Sequence, residues 1–342
     1  MTQEELIRRA KMTFAAQRDP YGSVEKVFPL AIDRCGEDNF SGYLGVKNMA
    51  PMPQRAVEAL TGAGFALHTL DRASWGGRAV DMKLQNPITG HPMTGSSSGT
   101  AVNVRLRFND LGLGTDGGGS VLAPAMSVNL YGFISPLICA QEMSRHSGRS
   151  TDGIPFHGSL GLMARDWETL LRGITVLPGL EGITPSPSPA KVFRIEGDCV
   201  TDETGRSVCP VPDRWGAREP LIRFLEELLP QCDCLVSDEG PVDVNGIGDS
   251  VFGHFDPDTA ASQARSGKGL IRVANMVGAT ALCVPAPELG RGRVFLCQSQ
   301  PEKIEKLLSS AGEAAQPEDP MLAWYFSKLD QYLKPGALPF QM

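Results

Sequence analysis

The chain has 342 residues, of which 42% are hydrophobic, and carries a formal net charge of −7 with a sequence pI near 5.4. This length can bury a large core, and the 38 glycines and 26 prolines fit many short turns better than disorder. Because no run of lysine or arginine exceeds a pair, the sequence offers no basic patch for nucleic acid or an anionic membrane. A small-molecule or protein partner is therefore expected.

The N-terminal residues 3–17 mix charges into a helical pattern and contain no apolar core typical of a secretory signal. No stretch approaches the ~20 apolar residues that span a bilayer. The cysteines are scattered and lack CxxC spacing, which favours reduced thiols and a cytoplasmic location. They are Cys35, Cys139, Cys199, Cys209, Cys232, Cys234, Cys283 and Cys297.

Helical and strand patterns alternate along the chain and predict an α/β sheet covered by helices. Asp166 is the predicted N-cap of one of these helices. The predicted helices are 3–17, 54–62, 101–108, 166–177, 219–229, 269–278 and one from Pro301, and the predicted strands are 65–70, 110–116, 127–135, 191–195, 232–237, 280–286 and 293–298.

Two further segments bear on domain organisation. The proline-rich run 178–190 is short and is followed at once by a strand pattern, so we expect it to cross one domain, 1–342, rather than separate two. Residues 319–334 have apolar side chains at helical spacing. This arm is expected to dock on the core, and the alternative is a dimer-forming arm, so a homodimer is possible.

Two loops rich in serine and glycine, TGSSSGT (94–100) and GTDGGGS (114–120), raise the question of function. Residues 112–117 match the dinucleotide fingerprint GxGxxG, which requires a helix that starts inside the motif and an acidic residue about 20 positions on. Here Pro124 falls where that helix should run, and the next acidic residue is Glu142. The sequence therefore disfavours a dinucleotide site.

Residues 95–99 also match GxSxG, the nucleophile elbow of serine hydrolases, with Ser97 as the nucleophile. An elbow follows a strand, whereas the residues before this motif are turn-like. His146, His157 and His254 are candidate bases, but none has a local signature. The elbow remains an alternative that the sequence does not favour.

A third interpretation uses both loops together. Glycines let a backbone approach a ligand closely, so DGGGS would supply N–H donors for an oxyanion and Ser120 would be the nucleophile. The two loops resemble the paired runs of the amidase signature hydrolases, Gly-Gly-Ser-Ser-Gly-Gly and Gly-Thr-Asp-x-Gly-Gly-Ser. The similarity extends over about residues 40–300 and includes GYLGVKNMAP, NPITGHPMTGSSSG and HGSLGLMARDWETLLRGITVL.

The resemblance implies a single α/β/α domain with a mixed central β-sheet flanked by helices, and a Ser-cisSer-Lys triad without metal or cofactor. By motif position, Ser120 corresponds to the nucleophile, Ser96 to the bridging serine after a cis peptide bond, and Lys47 to the general base. The implied oxyanion donors are Gly117, Gly118, Gly119 and Ser120, and the implied supporting residues are Ser97, Thr115 and Asp116. Without the resemblance, Lys47 would be interpreted as a solvated surface lysine.

The chain departs from the family pattern at three positions. Leu122 stands where members usually have arginine, Asn48 replaces an aspartate, and Ser98 replaces a glycine. The chain is also shorter than most members, chiefly between residues 180 and 232, which predicts a more open cleft. We expect hydrolysis of a linear amide of a small or medium-sized molecule, and the alternatives are an acyltransferase or a catalytically degenerate binding subunit.

Overall fold

A mixed β-sheet of twelve strands runs through the computed structural model, which describes residues 2–50, 52–150, 152–248 and 256–329. The strands are β1 (Val24–Val27), β2 (Gly42–Lys47), β3 (Phe65–Asp71), β4 (Val80–Gln85), β5 (Pro92–Thr94), β6 (Leu111–Asp116), β7 (Tyr131–Ser135), β8 (Ser147–Arg149), β9 (Pro155–His157), β10 (Ser159–Ala164), β11 (Val192–Glu196), β12 (Cys199–Thr201), β13 (Ser207–Pro210), β14 (Cys234–Glu239), β15 (Ala279–Pro285) and β16 (Gly292–Gln298). The strand order in the large sheet is β1-β3-β2-β6-β10-β7-β15-β16-β14-β11-β12-β13, and β4-β5 and β8-β9 form two separate hairpins.

Helices cover both faces of this sheet. Neighbouring residues of a strand point to opposite faces, and in β15 Ala281 and Cys283 join one apolar cluster, whereas Leu282 joins the other. The helices are α1 (Gln3–Arg18), α2 (Gln54–Gly62), α3 (Ser98–Arg105), α4 (Leu122–Ser127), α5 (Ala140–Met143), α6 (Trp167–Ile174), α7 (Arg218–Leu228), α8 (Pro257–Ala264), α9 (Pro301–Glu313) and α10 (Pro320–Ser327). The first cluster also contains side chains of α3, α4 and α7, and the second those of α2, α6 and α9, which confirms the predicted α/β/α fold.

Strand β2 lies between β3 and β6 and is parallel to both. Leu44 pairs with Leu111 and Val46 with Leu113. Parallel strands end at the same edge of a sheet, so the carboxyl ends of β2 and β6 lie side by side. This pairing brings the chain near Lys47 close to the chain near Asp116.

Several local predictions agree with the structure. The helix 54–62 is present with those bounds. Asp166 is the N-cap of α6, and its carboxylate accepts a hydrogen bond from the backbone N–H of Thr169 at 2.8 Å. All eight cysteines are free, and six of them are buried. Among the residues that the structure describes, no helix has the length and apolar character needed to cross a membrane.

The prediction of a helix at 269–278 was wrong. Only Leu270–Arg272 forms a single 3₁₀ turn there. The buried carboxylate of Glu239 accepts hydrogen bonds from the backbone N–H groups of Gly269 and Leu270, at 2.9 and 2.6 Å, and holds the start of this turn in place. The strand predicted at 127–135 starts only at Tyr131, because α4 continues to Ser127 and contains Pro124 in its first turn.

The C-terminal arm docks on the body of the protein over its described part. Leu322 and Phe326 of α10 are buried in the first apolar cluster. Just before this helix, Glu318 accepts a hydrogen bond from the fully buried guanidinium of Arg105 at 2.7 Å. Residues 330–334 of the predicted arm lie outside the described residues, and the dimer-forming role stays a prediction.

Candidate active site

The two loops singled out in the sequence meet at the edge where β2 and β6 end. Lys47 is the last residue of β2, and Asp116 is the last residue of β6. Ser96 lies in the tight turn between β5 and α3. Gly95 makes this turn with φ of 74°, and a Cβ atom there would collide with the ring of Pro124, so both conformation and space require glycine.

The bond before Ser96 corrects one expectation. Among the described residues, the only cis peptide bond is Gly240–Pro241, so the bond between Gly95 and Ser96 is trans. The left-handed conformation of Gly95 turns the chain without a cis bond. The implied cis-serine is therefore absent from this structure, although Ser96 stands at the expected place.

Lys47 is buried, with 2% of its surface exposed, and it is not the surface lysine that its residue type alone would suggest. Its Nζ lies 2.7 Å from Ser96 Oγ and 2.7 Å from Thr115 Oγ1. Burial lowers the pKa of Lys47 from 10.5 to about 7, and the nearby charge of Asp116 only partly opposes this effect. A substantial fraction of Lys47 is therefore neutral near pH 7 and can accept a proton.

Asp116 orders the glycine loop. Its carboxylate accepts hydrogen bonds from the backbone N–H groups of Gly119 at 2.8 Å and Val121 at 2.6 Å. Burial raises the pKa of Asp116, and these hydrogen bonds act in the opposite direction. Gly119 was expected to be an oxyanion donor, but its N–H is already donated to Asp116. The N–H groups of Gly117, Gly118 and Ser120 donate no hydrogen bond to any described residue.

Ser120 is half-buried and lines a cleft of about 650 Å³ together with Lys47 and Ser96. Its carbonyl accepts a hydrogen bond from the N–H of Ser97 at 3.2 Å. Its hydroxyl has no hydrogen-bond partner among the described residues, so the link from Ser96 to Ser120 is not formed in this structure. The three predicted catalytic side chains nevertheless share one cleft.

The structure gives no support to the nucleophile elbow. Ser97 is fully buried, and its hydroxyl donates to the carbonyl of Thr115 at 3.1 Å and accepts from the N–H of Thr115 at 3.3 Å. This side chain fixes the serine turn against β6 and is closed to a substrate. His146 lines the cleft, His157 is on β9, and His254 lies outside the described residues.

Sequence reasoning missed the hairpin β8-β9, which forms part of the cleft wall. Phe156 of this hairpin covers Gly117 so closely that a Cβ atom at Gly117 would overlap its ring. Arg218, at the start of α7, also lines the cleft and forms a 2.6 Å ion pair with Asp152 of the hairpin loop. No local motif marks the hairpin, because residues 147–157 have the composition of an ordinary polar loop.

Comparisons with known proteins match the part of the chain that forms this site. The family model described as Amidase matches residues 83–138, which include the serine loop and the glycine loop. The curated protein Amidase 1 of Arabidopsis thaliana is 35% identical over 133 residues, which are 37% of this chain and 27% of that protein. The chain thus matches about a quarter of the length of that relative.

Solved structures show the same fold. A bacterial aryl acylamidase of the amidase signature family has a TM-score of 0.61 at 14% identity, over 96% of each chain. 6-Aminohexanoate cyclic dimer hydrolase has a TM-score of 0.61 at 14% identity, over 92% of this chain and 95% of the other. The native peptide amidase from Stenotrophomonas maltophilia has a TM-score of 0.57 at 16% identity, over 91% of this chain and 94% of the other.

The mixed sheet flanked by helices is the fold of these amidase signature enzymes. In sequence, the chain is similar to the Amidase family over residues 83–138, the segment that contains the paired serine and glycine loops.

Proposed function

We propose that this protein is an amidase that hydrolyses the C–N bond of a linear amide of small or medium size. Ser120 is the nucleophile, Ser96 relays the proton, and Lys47 is the general base. The observation that carries the proposal is Lys47, which is buried, has a pKa lowered to about 7, and lies 2.7 Å from Ser96 in the cleft that Ser120 lines.

Thr115 supports this role for Lys47. Its hydroxyl donates to the sulfur of Met49 at 3.4 Å, so a lone pair of Thr115 Oγ1 is available for an N–H of Lys47. A neutral Lys47 then donates to Thr115 and turns its own lone pair toward the hydroxyl of Ser96. A proton can thus pass from Ser96 to Lys47, and Asp116 is the charged group that acts on Lys47 during this transfer.

In the first half of the reaction, Lys47 takes the Ser96 hydroxyl proton while Ser96 takes the proton of Ser120. The Ser120 oxygen attacks the amide carbonyl carbon, and the N–H groups of Gly117, Gly118 and Ser120 donate to the oxyanion that forms. The proton returns along the same path to the amide nitrogen as the C–N bond breaks, and the amine leaves. The acyl group is then an ester of Ser120.

In the second half, water gives a proton to the same relay and attacks the ester carbonyl carbon. The bond to Ser120 Oγ breaks, this oxygen regains a proton, and the carboxylic acid leaves. Catalytic hydrogen bonds often tighten only in the substrate complex, and the mechanism requires the Ser120 hydroxyl to turn toward Ser96 at that stage. An acyltransferase would differ only in using an amine in place of this water.

The retained site also argues against a degenerate binding role. Keeping a lysine buried costs stability, and here the lysine has kept its serine partner in an open cleft. The free cysteines suit a reducing compartment, which supports the cytoplasm as the proposed location.

Labelling with a fluorophosphonate tests the proposal, because this reagent reacts with an activated serine hydroxyl. Mass spectrometry of the labelled protein is expected to find the adduct on Ser120 in the wild type and no adduct in Ser120→Ala. Lys47→Ala is expected to be labelled far more slowly. An adduct on Ser97, or a Ser120→Ala variant that is labelled at the wild-type rate, would reject the assignment.

A further inference from the structure

We infer that the substrate carries a carboxylate near the scissile amide, and that Arg78 and Arg149 bind this carboxylate. The inference rests on the proposed function, since it names the class of amide that the cleft takes. It follows from which charged side chains line the cleft and which of them already have partners.

The cleft lining contains few acidic side chains. Among the described residues that line it, Asp116 is the only carboxylate. Both of its oxygens accept backbone N–H groups, those of Gly119 and Val121, and they are therefore turned into the glycine loop. A cationic group on a substrate would find no free carboxylate among these lining residues.

Cationic side chains dominate the same lining: Lys47, Arg78, Arg149 and Arg218. Two of these four side chains already have another role or partner. Lys47 must be neutral to act as the base, and Arg218 is held by Asp152 in an ion pair whose arginine side chain is only 5% exposed. Arg78 and Arg149 are therefore the two cationic side chains of the lining that can bind an anion.

Neither of these two arginines forms an ion pair with a described carboxylate. Arg149 donates one guanidinium N–H to the carbonyl of Gly153 at 2.7 Å, which fixes the side chain and leaves its other donors for a ligand. The Arg78 guanidinium lies over the ring of Trp75, 5.4 Å from its centroid. A cation stacked on an aromatic ring is held in place while its N–H groups at the edge stay available.

The two arginines come from different parts of the chain. Arg78 follows the short turn Trp75–Gly77 after β3, and Arg149 ends β8. Both side chains are exposed to solvent, so their charge costs little to maintain and a carboxylate can reach them. An arginine fork matches the two oxygens of a carboxylate, which makes this pairing directional.

The positive charges of the cleft differ in sign from the net charge of the chain. The chain as a whole carries a net charge of −7, so its general surface repels anions. A cleft whose uncommitted charges are positive, on an acidic protein, concentrates the field at one place and draws an anionic substrate there. A volume of about 650 Å³ suits a small molecule with both an amide and an acidic group.

Two matched chromogenic amides test the inference. Succinic acid mono-4-nitroanilide and butyric acid 4-nitroanilide have the same chain length and differ in a terminal carboxylate against a methyl group. We expect the KM of the succinyl compound to be lower by on the order of tenfold at low salt, with the difference shrinking as ionic strength rises. Equal KM values for the two compounds would overturn the inference.

Variants localise the effect. Arg78→Gln and Arg149→Gln are each expected to raise KM for the succinyl compound by about tenfold, with kcat and the butyryl compound little changed. Arg145→Gln is the matched control, because Arg145 is exposed near the same hairpin but does not line the cleft. The assignment would be contradicted if Arg145→Gln lost the preference for the succinyl over the butyryl compound, or if the double variant Arg78→Gln/Arg149→Gln kept this preference.

A binding measurement separates this inference from the proposed function. Succinate is titrated by calorimetry into Ser120→Ala, and into the same variant with Arg78→Gln and Arg149→Gln added. Weaker succinate binding by tenfold or more in the arginine variant supports the anion site even if no amide is turned over. A lack of turnover would count only against the proposed amidase activity. Identical binding overturns the anion site even if fluorophosphonate labels Ser120 and neutral amides are hydrolysed.

Discussion

Replacement of Lys47 gives the sharpest test of the site, because the structure sets the size of the effect. A lysine with a pKa of 10.5 is neutral in about one molecule in 3,000 at pH 7. The burial of Lys47 lowers its pKa to about 7, so that about half of the molecules have a neutral base at that pH. This difference of 3.5 pH units is equivalent to roughly 5 kcal/mol spent on keeping a charged lysine in the interior.

The activity of the wild type should therefore rise with pH and level off above pH 8. The measurement is kcat/KM for a simple amide or ester between pH 5.5 and 9.5. Lys47→Ala is expected to remove most activity and to flatten this rising limb, since no base remains to titrate near pH 7. His146→Ala and His157→Ala are the controls and should keep the limb.

Stability should follow the same titration with a defined sign. The folded-state pKa of Lys47 lies below its unfolded value, so between about pH 7 and 10.5 the unfolded chain binds the extra proton. The unfolding free energy of the wild type, relative to Lys47→Met, should then rise with pH across that window, by at most about 5 kcal/mol. In the activity measurement, a rise of kcat/KM with pH that survives in Lys47→Ala, or one that disappears in a histidine variant, would refute the role of Lys47.

Three further outcomes are expected. Ser120→Ala should lower turnover by several orders of magnitude with an unchanged melting curve, whereas Ser97→Ala should keep the nucleophile and lose about 1–3 kcal/mol of stability, because Ser97 is buried and hydrogen-bonded to Thr115. Burial raises the pKa of Asp71 to about 6, so the unfolding free energy of the wild type relative to Asp71→Asn should fall by about 3 kcal/mol as pH rises from 3.8 to 6 in chemical denaturation. Dialysis against EDTA should leave amide turnover unchanged, and a loss that zinc restores would contradict this expectation.

Much of the site was within reach of sequence reasoning, because chemistry and backbone needs coincide in short motifs. Gly95 marks a turn that only glycine fits, and the spacing from Ser96 to Ser120 locates both serines. The burial of Lys47 could not be predicted from its residue type, since isolated lysines are usually on the surface. It depends on the pairing of β2 with β6, which joins residues far apart in the chain.

Other features depend on contacts between distant segments. The apolar spacing of residues 269–278 suits a helix, but only Leu270–Arg272 forms a 3₁₀ turn, and the buried carboxylate of Glu239 from β14 holds the start of this turn. Phe156 covers Gly117 only because β8 and β9 fold back over the cleft. The cleft wall is therefore a product of tertiary structure that no local pattern encodes.

The ion pair of Arg105 with Glu318 has a consequence for the order in which the protein assembles. Arg105 ends α3, the helix that begins just after Ser96, and it is buried without contact to water. A buried charge whose partner is missing costs about 3–5 kcal/mol. During synthesis from the N-terminus, α3 leaves the ribosome more than 200 residues before Glu318 does, as their separation of 213 positions requires. The helix that follows Ser96 thus reaches its full stability only when the segment around Glu318 has been made, and a chain cut before Glu318 would hold the serine and glycine loops on a weakened support.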